Sequence, residues 1–176
     1  VSLDLAADHE VTITGDQAAN FAALVDQCCG SSGFVAHAAQ AARQIHLHLL
    51  DTVEANLAGT NADLDSEFLH DLRVAVRRTR SALTQIKGVF PDQDLEHFKQ
   101  EMAWVGQITG PTRDMDVYLL DFDQYRNILR PQFRADLDPL KDFLIAHQKS
   151  AHRAMVRKLK SPKFQNLLKE WRTFLE

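Results

Sequence analysis

Apolar residues recur every three or four positions over most of this chain, and that spacing predicts helices almost throughout. One is expected from Phe34 to about Leu57, where few helix breakers occur. Gly59 and the polar run NADLDSE predict a loop, in which Asp65 or Ser66 is placed to cap the next helix by accepting from a free backbone N–H. That helix is expected from about Glu67 to Val89, stopping before Pro91. A further helix is expected over about 94–108, ended by Gly110-Pro111, and another from near Asp114 to about Leu129, ahead of Pro131. A long helix should follow over about 137–159 with Pro139 in its first turn, and KFQNLLKEWRTFLE should form the last one after Ser161-Pro162. No run beyond residue 34 alternates convincingly as a strand does. The fold class is therefore all-α, an antiparallel bundle of long helices joined by short loops, with Trp104 and Trp171 in its core.

Residues 1–33 read as a separate segment of uncertain structure, and residues 34–176 as the helical domain. HEVTITGD suggests a short extended piece or turn, DQAANFAALVDQCC a short helix, and GSSG a flexible break. Cys28 and Cys29 are adjacent and have no third cysteine to pair with, which reads as small buried hydrophobes in a reducing cytoplasm. No apolar run approaches the roughly 18 residues that span a bilayer. VSLDLAADHE lacks the basic and apolar regions of a secretory signal, and the missing initiator Met suggests a fragment or processed chain.

The net charge of −4 argues against a polyanion partner until its distribution is considered. Residues 1–67 carry ten acids and one base, Arg43. Residues 70–90 carry five bases against one acid, and residues 147–163 carry six bases and no acid. Local fields follow local charge.

HDLRVAVRRTRSALTQIKGVF carries the most chemistry. At helical periodicity Leu69, Leu72, Val76, Leu83, Ile86 and Phe90 share one side, while His70, Arg73, Arg77, Arg80 and Lys87 gather on another, with Thr84 between them. Like charges stacked on one face repel by a few tenths of a kcal/mol per pair. Arginine at three successive positions of the stripe suits phosphate, because a guanidinium grips two oxygens at once. A second stripe, Lys149, Arg153, Arg157 and Lys160, is marked by charge alone. Two such tracks suit an extended polyanion better than one small phosphate ester, although solvated faces or arginine–carboxylate bridges are the structural alternative.

HDLRVAVRRTRSAL resembles the signature of the CHAD family (conserved histidine α-helical domain), a histidine followed at three, seven, eight and ten residues by arginines. EMAWVGQITGPTRDMDVYLL resembles the family's second landmark, and SPKFQNLLKEWRTFL the end of its first helical bundle. The resemblance covers Phe34 to Glu176. It implies a domain of two pseudo-symmetric bundles that binds inorganic polyphosphate in a basic cavity, of which this chain would hold the first bundle. Carried over by position, the binding candidates are His70, Arg73, Arg77, Arg80, Lys87 and Arg113. Arg78 belongs to the motif but lies off the stripe; it ranks lower, beside Lys149, Arg153, Arg157 and Lys160. Ala103 stands where many members have a basic residue, and no second His/Arg helix follows. The family often accompanies a triphosphate-tunnel (CYTH-type) domain in longer chains. The resemblance also implies a cytoplasmic protein, associated with polyphosphate granules through its ligand.

Other constellations point elsewhere. Asp114 and Asp116 beside Arg113 suggest either a carboxylate-bound divalent metal or, by the habit of Asp at helix starts, a cap paired with an arginine; the cap is the preferred reading. His46 and His48, two positions apart, point to different sides of a helix, which argues against a zinc site with Asp51. No Gly-rich phosphate loop, nucleophile elbow or HExxH occurs, so no catalytic constellation, cofactor or metal is expected. The stripes lack interleaved aromatics, which disfavours single-stranded nucleic acid. Two competing functions stay open: a helical scaffold docking on an acidic partner, and a phosphohydrolase accessory domain using Arg113, Asp114 and Asp116.

Overall fold

A computed structural model describes residues 15–176 apart from Lys87, with side chains from Ala36 onward. The chain divides after Gln40, and the packing described below is that of the unit Ala41–Glu176. The extended piece expected at HEVTITGD lies outside the described residues over 9–14, and its last two, Gly15 and Asp16, are helical; the burial of Cys28 and Cys29 and the position of Lys87 also lie outside the described residues.

Helix α1 spans Gly15–Ala62 and passes through GSSG without the expected break. Each glycine costs about 1 kcal/mol against alanine in a helix, but neither removes a backbone hydrogen bond, and no proline is nearby to stop the chain. The helix also passes Gly59, so the predicted loop shrinks to three residues. Asp63 takes a φ of 53° to end α1, a conformation that Asp tolerates better than most side chains. The Asp65 carboxylate then accepts from the Glu67 N–H at 2.9 Å and opens α2, Ser66–Gln85.

Helix α2 buries Leu69, Leu72, Ala75, Val76, Thr79 and Leu83, close to the side foreseen from periodicity. It ends earlier than expected: Ile86 is extended and Gly88 has φ 73°. Helix α3, Asp92–Ile128, replaces the two helices expected around Gly110-Pro111. Pro111 removes the N–H that would bond the Gln107 carbonyl, yet the helix continues. The turn before it gains other bonds: the Thr109 hydroxyl donates to the Val105 carbonyl at 2.8 Å, and Arg73 of α2 reaches the Gly106 carbonyl at 2.9 Å. Buried residues on both sides of the proline, Met102 and Val105 before it and Thr112 and Phe122 after it, anchor both halves. Asp114 consequently lies inside α3 and caps nothing.

A 3-10 turn, Pro131–Leu137, leads into α4, Asp138–Leu159, and then α5, Pro162–Leu175, whose N–H at Phe164 bonds the Ser161 hydroxyl. The α4 and α5 boundaries match the expected ones closely. Neighbours run antiparallel. Arg73 meets Thr109 and His70 meets Arg113 across α2 and α3, while Gln148 meets Asp116 and Asp138 meets Arg126 across α3 and α4; in each pair of helices one number rises as the other falls. Among the described residues there is no strand, and no helix is long and apolar enough to cross a membrane.

The core joins all five helices. Leu50, Leu72, Leu83, Val105, Met155, Leu159, Phe164, Trp171 and Leu175 are sealed from solvent, each large side chain contributing about 1.5–3 kcal/mol by burial. The Trp171 ring packs on Phe98 with centroids 4.5 Å apart and edge-on to His46 at 5.3 Å. Trp104 is only half-buried, with the Lys163 ammonium 4.3 Å from its ring centre. His46 is fully buried while His48 is exposed, which fits the opposite directions read from their spacing.

Candidate anion-binding site

Helices α2 and α3 lie antiparallel, so the polar stripe of α2 faces a stripe of α3 at the same periodicity. Between them is a cavity of about 550 Å³ whose lining includes His70, Arg73, Arg77 and Arg80 from α2 and Ala103, Gly106 and Arg113 from α3. No carboxylate is among the lining residues. Four guanidinium groups thus converge from two helices on one concavity.

The arginines divide into two kinds. Arg73 and Arg113 are half-buried and held by neutral acceptors. Arg73 Nη1 donates to the Gly106 carbonyl at 2.9 Å and to Thr109 Oγ1 at 2.8 Å. Arg113 donates to the Ser66 carbonyl at 3.3 Å and to His70 Nδ1 at 3.0 Å. An arginine can only donate, so His70 accepts through Nδ1 and its ring proton sits on Nε2. His70 therefore orients Arg113 and keeps one donor of its own. Arg77 and Arg80 are exposed, and among the described residues no ion pair engages them.

Burial pulls the Arg73 guanidinium below the usual arginine range; nearby Asp114 opposes this, while Arg113 and Arg77 add to it. The cavity thus concentrates like charge, and only part of it is balanced by a carboxylate outside the lining. An anion is the species such a surface stabilises.

Of the residues singled out in the sequence, His70, Arg73, Arg77, Arg80 and Arg113 meet in this one cavity. Arg78 lines a separate shallow depression with Gln44, Ile45 and His48. Lys149, Arg153 and Arg157 on α4 and Lys160 just past its end are all exposed, and the cavity lining does not include them. Among the described residues no three His, Cys, Asp or Glu side chains are grouped to hold a metal ion. Asp116 is instead buried, its Oδ1 accepting from Gln148 Nε2 at 3.1 Å. Burial raises its pKa, with Asp63 adding to the rise and the Gln148 bond opposing it. Gln148 also reaches both Asp63 oxygens at 3.3 and 3.4 Å, so one amide ties α1, α3 and α4 together.

One residue escaped the sequence reading. Lys99 is half-buried and lines a second depression of about 360 Å³ with Arg77, Arg80, Ser81, Thr84 and Gln85. A signal existed: Lys99, Ala103, Gly106, Gly110 and Arg113 follow four-three-four-three spacing, one residue behind the buried stripe of α3.

An all-α bundle with an arginine-lined concavity between two antiparallel helices defines a helical domain built around clustered positive charge. The chain belongs to the CHAD domain family, whose model matches residues 44–176. No curated protein matches it.

Proposed function

We propose that this chain binds inorganic polyphosphate in the cavity between α2 and α3. The observation that carries this reading is the lining itself: four arginines and a histidine, no carboxylate, and guanidiniums bonded only to neutral acceptors. Structural arginines in this fold look different, as Arg172 shows by bridging Asp51 and Glu54 at 2.8 Å. Family membership supports the same reading.

Shape separates polyphosphate from the competing partners. A concavity suits a thin chain of phosphates better than the broad surface of an acidic protein. Among the described residues the lining offers no Phe, Tyr or Trp ring on which a base would stack, which disfavours RNA. No lining carboxylate is present to activate water, so binding rather than hydrolysis is the reading adopted. On this reading the protein accompanies its ligand in the cytoplasm, polyphosphate granules included.

The test is a titration with long-chain polyphosphate, tripolyphosphate and RNA at matched ionic strength. Arg77→Ala should weaken long-chain binding by about 1–3 kcal/mol, typical of a lost charge-assisted bond, and Arg77→Lys should recover only part of it. Unchanged affinity in a folded Arg73/Arg77/Arg80 triple alanine variant would overturn the reading.

A further inference from the structure

The cavity is not closed at the Arg77–Arg80 end. Both residues also line the second depression, where they are joined by Ser81, Thr84 and Gln85 of α2 and by Lys99 of α3. The two depressions therefore share a wall of two arginines. Among the described residues, neither lining contains a carboxylate.

Lys99 and Lys141 are the half-buried lysines among the described residues; Lys149, Lys158, Lys160 and Lys169 have no ion pair there but are exposed to solvent. Lys141 and Lys163 are each paired with an acid, Asp123 at 3.7 Å and Glu101 at 3.1 Å. Lys99 is half-buried, has no ion pair among the described residues, and lines one depression with two arginines. Placing a partly desolvated ammonium beside two guanidiniums is unfavourable unless an anion lies among them. The Ser81 hydroxyl and the Gln85 amide add neutral donors, the complement that phosphate oxygens accept; the Thr84 hydroxyl already donates to the Arg80 carbonyl at 2.9 Å.

The α3 stripe also explains how one chain would pass between the depressions. Lys99 and Arg113 stand at its ends, with Ala103, Gly106 and Gly110 between them. A Cβ at Gly106 would meet nothing within 4 Å, and one at Gly110 would meet only Arg73 Nη1 at 3.8 Å. Small residues thus leave the middle of the stripe open while cations mark its ends.

From these observations we infer that the anion site is a continuous track ending at Lys99, which contacts phosphates of a chain already held by His70, Arg113 and the α2 arginines. The inference rests on the proposed function and extends it with a chain-length requirement. His70 to Thr84 spans about 21 Å along α2 at 1.5 Å per residue, so three phosphates held at the Arg113 end do not reach Lys99.

Lys99→Gln keeps most of the aliphatic stem and removes the charge; Lys99→Arg keeps the charge. With the full chain, and melting curves to confirm folding, Lys99→Gln should weaken long-chain polyphosphate binding roughly tenfold, the scale of one charge-assisted contact. It should also lower the slope of log affinity against log salt by about one. Tripolyphosphate affinity should change less than twofold, and Lys99→Arg should bind long chains as the unaltered protein does. Arg77→Ala is the control. If it weakens binding while Lys99→Gln does not, the track stops short of Lys99 and the proposed function stands. An equal loss for tripolyphosphate and long chains would also overturn the extended track, by showing that Lys99 acts on whatever anion is bound. If neither variant affects binding, the polyphosphate reading itself fails.

Discussion

Gly59 and Gly106 both lie inside helices, yet a methyl group added at each would meet different surroundings. At Gly59 it would fall on the ring of Phe68, which α2 brings against the end of α1. Gly59→Ala should therefore destabilise by about 1–2 kcal/mol despite alanine's better helix propensity, because the ring must move within packed surroundings. At Gly106 the same substitution meets open space and should stabilise by up to about 1 kcal/mol. Urea midpoints of the two variants should move in opposite directions. His46 adds a pH dependence. It is sealed in the core against Phe90 and Trp171, neither ring nitrogen has a hydrogen-bond partner, and burial lowers its pKa from 6.5 to about 4. A histidine whose folded pKa is depressed contributes its full stability above the unfolded value and loses it as pH falls. The window is pH 6.5 down to 4, and the cost at its acid end is about 3 kcal/mol at 1.36 kcal/mol per pKa unit. His46→Leu should flatten the stability profile between pH 6.5 and 5, measured as the difference in urea midpoint from the unaltered protein. A difference that stays constant over that range would show that His46 is not the titrating group.

At the scale of helices, Gln148 is the polar joint. Its amide faces a buried carboxylate on α3 and a second carboxylate at the end of α1. Gln148→Ala would leave Asp116 buried without its donor, so a loss of about 1–3 kcal/mol is expected, seen as a lower urea midpoint with unchanged slope. Helix type and apolar face were legible in the sequence wherever the pattern was strong, as in α2, α4 and α5, and the bounds were too for α4 and α5. The errors fell where punctuation was read as a stop. GSSG and Gly110-Pro111 break local rules, but continuous packing and bonds from Thr109 and Arg73 carry α3 through its proline. Such support comes from another helix and leaves no local mark. The site shows the same division. His70 and the α2 arginines were visible as one stripe, and Arg113 came through family likeness. Lys99 was missed because its partners lie on α2, and only the register between the two helices brings them together.

For the whole molecule, a net charge of −4 conceals strong local fields. On the polyphosphate reading, affinity should fall steeply with salt, since each neutralised phosphate releases counterions. Isothermal titration at several potassium chloride concentrations would check this, and a flat dependence would argue against multiple phosphate contacts. The carboxylate-free lining has a second consequence. Cations that repel one another are strain within the folded state alone, because unfolding lets them separate. On the same reading, a polyanion threaded among them would remove that strain and bind only the folded chain, so ligand supply would become a determinant of how long the protein survives. At a hundred times the dissociation constant, linkage adds about 2.7 kcal/mol to stability, which for a chain of this size raises the melting temperature by roughly 5–10 °C. A cell that drains its phosphate polymer would thereby hold a softer protein, opening more often and cleaved sooner, so that the binder's abundance would follow that of what it binds.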